Sequence, residues 1–325
     1  MNVMILAAGL GSRFNPQTLI KPKPALPFLN VPLGFYSLAL LENTPVEKLV
    51  VNTFHLPKEI VHLFQNAILP TRNLDFSHEV GEIQGSGGGL KQAQRFFKGH
   101  HDLIMMNGDE VILPHQPKLM ASALAQHKSS NALATLFVME HPEVGHKFGG
   151  IWVDQKNQIQ AIGKVRPDSA VKGFHFIGVF IFSSRIFDYL TRGPSHIFTD
   201  VLLPAINLGE KVDIFKANVT WFETGNLTDY LTATAECLEI LKSERPESAF
   251  LKKVLSKHSP QSKMIGNTLT ASSLPKSFSV EGFSVIGSQV VIKDNTVLKN
   301  SVVDSNLVLE KDFSAENKLL LNGCW

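Results

Sequence analysis

Val3-Met4-Ile5-Leu6-Ala7-Ala8-Gly9-Leu10-Gly11-Ser12-Arg13-Phe14-Asn15-Pro16 opens the chain, and Lys21-Pro22-Lys23-Pro24-Ala25-Leu26-Pro27 follows it closely. The apolar run Val3 to Leu6 reads as a buried strand that ends in a glycine loop. Gly9 and Gly11 have no side chains, so backbone N–H groups are free to close on an anion, while Ser12 and Arg13 place a hydroxyl and a fixed positive fork at the end of the loop. Spacing separates the competing glycine-loop chemistries. A dinucleotide fingerprint requires a third glycine opening a helix, and Phe14 stands there with Pro16 just behind it. A nucleotide P-loop requires Gly-Lys-Ser/Thr, which the stretch lacks. What remains is a phosphate cradle followed by a lysine between prolines. Pro22 and Pro24 fix their own φ and bias their neighbours toward extended geometry, so Lys23 is expected on a stiff extended segment.

The run Leu6-Ala7-Ala8-Gly9-Leu10-Gly11-Ser12-Arg13, with Pro16, Thr18, Pro22-Lys23-Pro24 and Pro27, resembles the signature of the sugar-1-phosphate nucleotidylyltransferases, or nucleotide-sugar pyrophosphorylases. The resemblance implies that the glycine loop (Leu6, Ala7, Ala8, Gly9, Gly11, Ser12) and Arg13 hold the phosphates of a nucleoside triphosphate. It implies that Lys23 stabilises charge as the α-phosphate is attacked.

Working outward, residues 33–41 read as a helix, 48–52 as a strand and 60–64 as another helix. Strand, loop, helix, strand, helix is the order of a layered α/β domain with parallel strands. The resemblance implies a Rossmann-like, GT-A-type sheet, mixed but mostly parallel, with helices on both faces. Glu79-Val80-Gly81-Glu82-Ile83-Gln84-Gly85-Ser86-Gly87-Gly88-Gly89 runs into an amphipathic helix through Phe97. Bare backbone there lets a flat ligand lie close. In the resembling family the matching segment wraps the base, which points to Gln84, Gly88 and Gly89, with Glu79 or Glu82 as alternative acceptors for a guanine edge.

Leu103 to Asn107 is a second buried strand, followed by Gly108-Asp109. Carboxyl ends of strands line the ligand crevice of parallel sheets, so an acid there is well placed for a metal ion. The resemblance implies Mg2+ at Asp109, with Asn107 and Gly108 beside the nucleotide. Trp221-Phe222-Glu223-Thr224-Gly225 resembles the family's Trp-x-Asp-x-Gly, so Glu223 is the second expected metal ligand, one methylene longer than the family's aspartate. Gly149 lies in a segment similar to the family's Tyr-Gly strand near the sugar. Gly163-Lys164-Val165 stands where many relatives have Glu-Lys-Pro, leaving Lys164 as a candidate for the sugar phosphate, and Gly178 lies where a sugar ring would approach.

From residue 242 to 275 the composition shifts to Ser, Lys, Glu and Pro, with a helix expected around 248–255. The expected organisation is a catalytic domain over 1–245, a helical linker over 246–280 and a repeat over 281–325. Val285, Val291, Val297, Val303 and Leu309 recur every six residues; Val290, Thr296, Val302 and Val308 keep a second register, and Ile286, Ile292 and Leu298 a third. A hexapeptide period implies short parallel strands stacked as a β-helix, left-handed by the resemblance, with about two coils in this length. Some β-helices transfer acyl groups, but this repeat is short and carries no histidine after His258.

With 325 residues, 44% hydrophobic and 18% charged, the chain has material for a sizeable core. Its net charge of +2 is spread, without a Lys/Arg stripe, so small anionic ligands are expected and a nucleic-acid partner is not. Cys237 and Cys324 are the only cysteines and have no zinc-type spacing. The opening apolar run is too short for a leader or a membrane span, so a cytoplasmic protein without a membrane partner is expected. The function that the resemblance implies is transfer of a nucleotidyl group from a triphosphate, GTP or UTP, to a sugar 1-phosphate. The leading expectation is mannose-1-phosphate guanylyl transfer. N-acetylmuramate or hexose-1-phosphate uridylyl transfer, choline-phosphate cytidylyl transfer and a catalytically silent nucleotide-sugar-binding paralogue are alternatives. Self-association through the repeat is a further expectation.

Overall fold

The computed structural model describes residues 1–97, 99 and 101–324; Trp325, the last residue of the expected repeat, lies outside them. The chain divides into two compact units, each discontinuous in sequence. The first comprises residues 1–9, 40–108 and 116–219; the second comprises 10–39, 109–115 and 220 onward.

The first unit is built on a nine-stranded sheet. Asn2–Leu6 is flanked in parallel by Lys48–Thr53 and Leu103–Asn107, and Leu74–His78 extends the parallel side. Lys172–Phe182 turns the ladder antiparallel, pairing with Leu103–Asn107, Ala134–Met139 and Gly150–Val153. These strands are near-continuous apolar runs because both faces are covered: Val3, Met4, Ile5, Leu49, Val50, Leu103, Ile104 and Met105 have no exposed surface. Helices Pro57–Gln65 and Gly85–Ala93 pack on Lys48–Thr53 and Leu74–His78, and Leu119–Ser130 packs on Ala134–Met139 and Val212–Lys216. The expected mixed α/β architecture is present.

The second unit gathers the Pro-Lys-Pro segment, the helices Gln17–Ile20, Leu33–Leu40, Leu227–Lys242 and Pro246–His258, and the repeat. Phe14, Phe28, Tyr36 and Tyr230 form its aromatic centre, with edge-to-face pairs at 5.4 Å (Phe14–Tyr230), 5.5 Å (Phe28–Tyr36) and 5.7 Å (Phe28–Tyr230). Both tyrosine hydroxyls are buried and donate to backbone carbonyls, Tyr36 to Phe28 and Tyr230 to Pro27. Tyr230 belongs to the helix Leu227–Lys242, whose N-cap is Asn226: its side chain accepts from the Asp229 N–H. Pro246–His258 follows as a second helix with Pro at its start.

The repeat stacks coils in parallel: Val285 pairs with Val302, Val302 with Leu319, and Val291 with Val308. Each pairing joins residues 17 apart (302 − 285, 319 − 302, 308 − 291), one fewer than three hexapeptides. The missing residue shifts the inward register once per coil. Ile286 and Leu298, from the third register, face the interior and hand over to Val303, Leu309 and Ala315, from the first, and then to Leu320, from the second. Val291 and Val308, apolar positions of the first and second registers, are instead 54% and 44% exposed. Leu309→Ala is therefore expected to cost about 2–5 kcal/mol in a denaturant melt, and Val308→Ala, the adjacent residue, well under half of that. Equal costs would contradict the assigned register.

Candidate active site

The first unit holds the front of the glycine loop through a buried polar relay. Asn52, at the end of Lys48–Thr53, accepts from the Ala7 N–H (2.7 Å) and donates to Glu79 Oε1 (2.8 Å); Glu79 Oε2 accepts from the Gln84 N–H (2.7 Å). Burial pushes the Glu79 carboxyl up, against the two donors that lower it. One side chain pair thus ties the start of the glycine loop to the start of helix Gly85–Ala93. Each Glu79 oxygen already accepts one hydrogen bond within the protein, and the side chain is buried. Leu6 and Gly108 are joined directly, the Gly108 N–H donating to Leu6 O at 2.9 Å, with Asn107 ending its strand next to them. A Cβ placed on Gly9 would meet nothing within 4 Å, so this position presents open backbone.

Gln84 precedes helix Gly85–Ala93, and its side chain donates to Glu82 O. Gly88 and Gly89 are buried in that helix. The glycines here have a packing reason: the N–H groups of Gly87 and Gly88 reach Ser195 O, and Cβ atoms on Gly85 and Gly88 would stand 2.6 Å from Ser195 O and 2.3 Å from Gly193 O. Gly149 and Lys164 are exposed and lie close along one ladder, where Gly150 pairs with Gly163. Gly178 is buried with φ +80° at the register shift of Lys172–Phe182, a bulge that favours glycine. The structure brings Gly149 and Lys164 together, while Gly178 sits in the sheet interior.

In the second unit, one ammonium is paired with one carboxylate, and two further acids act on its charge. Asp109 and Glu110 precede the strand Val111–Pro114, Glu223 follows Val219–Phe222, and these two strands pair. Thr224 donates to the Asp109 backbone carbonyl at 3.1 Å and the Trp221 indole N–H to the Glu110 carboxylate at 2.7 Å, fixing the backbone at one acid and the side chain of the other. His115, Thr220, Glu247 and Arg245 continue the bonding from the far end of the strand pair to helix Pro246–His258. Lys23 Nζ donates to Asp109 Oδ2 at 2.8 Å, with the lysine side chain 12% exposed. Burial alone would lower the Lys23 pKa; the charge and hydrogen bond of Asp109, helped by Glu110 and Glu223, more than offset this and hold it above its ordinary value.

Lys23 does not sit on extended chain: Lys23–Ala25 is a 3-10 turn, with extended Pro22 as its cap. The stiffness expected from Pro-Lys-Pro is present, but as a tight turn. Lys21 anchors the segment by an ion pair to Asp304 of the repeat. Gly11 is left-handed (φ +63°), and a Cβ there would come within 2.8 Å of Thr18, whose hydroxyl bonds Gly11 O. Ser12 and Arg13 are exposed, and the Arg13 guanidinium lies over Gly225: a Cβ on Gly225 would stand 2.4 Å from Glu223 Oε1 and 3.1 Å from Arg13 Nη2. Lys23, Asp109, Glu223 and Arg13 thus occur in one unit.

A family model described as "Nucleotidyl transferase" matches residues 2–240. The chain belongs to that family. It is 28% identical over 245 residues to a UTP–glucose-1-phosphate uridylyltransferase of Synechocystis, covering 72% of this chain and 62% of the relative, so the match spans about three fifths of that protein. A mannose-1-phosphate guanyltransferase of Schizosaccharomyces pombe is 28% identical over 251 residues, covering 76% of this chain and 67% of its own. The crystal structure of HddC from Yersinia pseudotuberculosis superposes with a TM-score of 0.58 at 22% identity, covering 73% of this chain and 99% of that one, a likeness of fold. The expectations of a sugar-1-phosphate nucleotidylyltransferase family and of a nucleotidyltransferase are borne out. No helix among the described residues is long and apolar enough to cross a membrane.

Sequence reading gave no role to Asn52, and it quoted Trp221 and Thr224 only as part of the motif around Glu223. Polar residues at strand ends leave no periodic signal, and only tertiary contacts reveal their partners. Because Asp109 holds Lys23 charged, stability from that pair is present below the ordinary lysine pKa, about 10.4, and is lost as pH rises through the higher folded value. Asp109→Asn is expected to lower the Lys23 pKa, so that Lys23 is acylated at a lower pH than in the wild type by competitive labelling and mass spectrometry. An unchanged labelling profile would contradict the pairing.

Proposed function

We propose that the protein transfers a nucleotidyl group from a nucleoside triphosphate to a sugar 1-phosphate, releasing pyrophosphate. The observation that carries this reading is the Lys23 ammonium, held charged by Asp109 with Glu223 and Glu110 acting on its charge. An oxygen of the sugar phosphate attacks the α-phosphorus in line with the departing pyrophosphate; the new P–O bond forms as the α–β bridge breaks, with no covalent enzyme intermediate. Catalysis of such a step is alignment and charge neutralisation.

Lys23 stabilises charge on the α-phosphate. Arg13 and the backbone from Leu6 to Ser12, open at Gly9, take the leaving pyrophosphate, with Asn52 holding Ala7 in place. Gln84 reads the base at the start of a helix whose Gly88 and Gly89 are buried, with Asn107 and Gly108 at the nucleotide; Gly149 and Lys164 serve the sugar phosphate, and Gly178 forms the bulge in Lys172–Phe182 of the same unit.

The donor set suits a hard cation: the charges that act on Lys23 are the carboxylates of Asp109, Glu110 and Glu223, and Mg2+ is commonly held by one or two carboxylates with phosphates completing its shell. Asp109 and Glu223 would hold it. When bound, Mg2+ neutralises phosphate charge. Among the described residues no three His, Cys, Asp or Glu side chains converge as a protein-only metal cage.

Mannose 1-phosphate with GTP is the first substrate pair we assign, since guanylyltransferases recur among the relatives; hexose 1-phosphate with UTP is the alternative, supported by the uridylyltransferase relative. The C-terminal coils are read as a left-handed β-helix serving self-association, and the protein as cytoplasmic.

A panel of triphosphates and sugar phosphates, scored by pyrophosphate release, tests the reading, with turnover expected for one guanylyl or uridylyl pair. No turnover with retained nucleotide-sugar binding would replace it by a silent binding protein. Lys23→Ala is expected to lower turnover by orders of magnitude while the circular-dichroism spectrum is kept, and wild-type rates in that variant would overturn the role of Lys23.

A further inference from the structure

Helix Gly85–Ala93 and the turn Gln94–Phe96 after it present one stripe of residues, Gln84, Gly88, Lys91, Gln92 and Arg95, at helical spacing. Together with Gln94, Arg192 and Gly193, the stripe lines a cavity of about 640 Å³. This volume lies within the roughly 300–1,000 Å³ of small-molecule sites. Its wall carries three cations and three carboxamides, and no carboxylate.

Among the described residues no carboxylate pairs with Lys91, Arg95 or Arg192. Lys91 has only a long 3.5 Å contact to Phe187 O, and the Arg95 guanidinium lies 4.8 Å from the Phe96 ring centroid. Three like charges lining one space repel unless an anion sits among them. Gln92 is tethered to His78 O, so part of the wall is already ordered. The floor is rigid for a separate reason: backbone bonds from Gly87 and Gly88 to Ser195 O, and from Ser195 N to Gln84 O, clamp the helix start to the 193–195 segment.

The nucleotide roles proposed above do not account for this wall. A base is neutral and is read by amides such as Gln84, whereas Lys91, Arg95 and Arg192 match condensed or esterified phosphate, the arginine forks by bidentate bonds.

We propose that this cavity is a binding site for a small phosphorylated anion, additional to the phosphate-binding groups assigned to the transfer reaction. The site shares Gln84 and Gly88 with the proposed base segment, so its occupant rests on the flank of that segment. The binding itself does not depend on the transfer reading.

Inorganic phosphate, pyrophosphate and GTP are the probes, titrated calorimetrically into the full-length protein, wild type and Lys91→Ala/Arg95→Ala. Wild type is expected to show two classes of site for at least one probe, with one class lost in the variant and regained in Lys91→Arg/Arg95→Lys. That probe is also expected to protect Lys91 from acylation in the wild-type protein, a readout that needs no variant. A single class of site for every probe, or two classes that survive in the alanine variant, would overturn the proposal. A protein without turnover in the substrate panel that still loses one class in the variant would sink the transfer reading and leave this one standing.

Discussion

The second unit is organised around an ammonium that has lost most of its water. A lysine with a side chain only 12% exposed is costly to keep charged without a partner, by several kcal/mol in typical proteins. Asp109, within hydrogen-bond reach, and the further charges of Glu110 and Glu223 reverse that preference. A cation stabilised in this way needs no reorganisation when a phosphate approaches, which is the property that charge-stabilising sites require. One carboxylate in contact with the lysine and two more acting on its charge give the second unit an excess of negative charge.

The scaffolding of this arrangement is local and redundant. Two short paired strands bring Asp109, Glu110 and Glu223 together, and bonds from Trp221 and Thr224 fix the Glu110 side chain and the Asp109 backbone. The aromatic centre of Phe14, Phe28, Tyr36 and Tyr230 fixes the other side, holding the turn that carries Lys23 against the helix Leu227–Lys242. Lys21 and Asn30 bond the same segment to Asp304 and Ile286 of the repeat and to Ser262 before it, so the repeat braces the part of the chain that presents Lys23. In the first unit the Asn52–Glu79 pair plays the equivalent part for the start of the glycine loop.

Much of this was legible in the chain, and what was not has identifiable causes. Strands such as Leu103–Asn107 announce themselves as apolar runs because both faces of the sheet are covered. The glycine loop, Lys23, Asp109 and Glu223 stand out through residue type and spacing, and the last three come together in one unit. The six-residue period of the repeat was visible, yet a coil of 17 residues moves the inward face from the register of Leu298 to that of Val303, a shift that no fixed period contains. Gly85, Gly87 and Gly88 read as open backbone but are occupied by a close approach of residues 193–195, far away in sequence. Asn52 and Glu79 are ordinary polar residues until folding buries them against each other.

The central claim is that Asp109 and Glu223 present their oxygens to one divalent ion beside Lys23. Manganese binding in the presence of a non-hydrolysable triphosphate, followed by electron paramagnetic resonance, tests it most directly. The account predicts one tightly held ion in the wild type, with affinity falling by at least about tenfold, some 1.4 kcal/mol, in both Asp109→Ala and Glu223→Ala. Undiminished manganese affinity in either variant would contradict it.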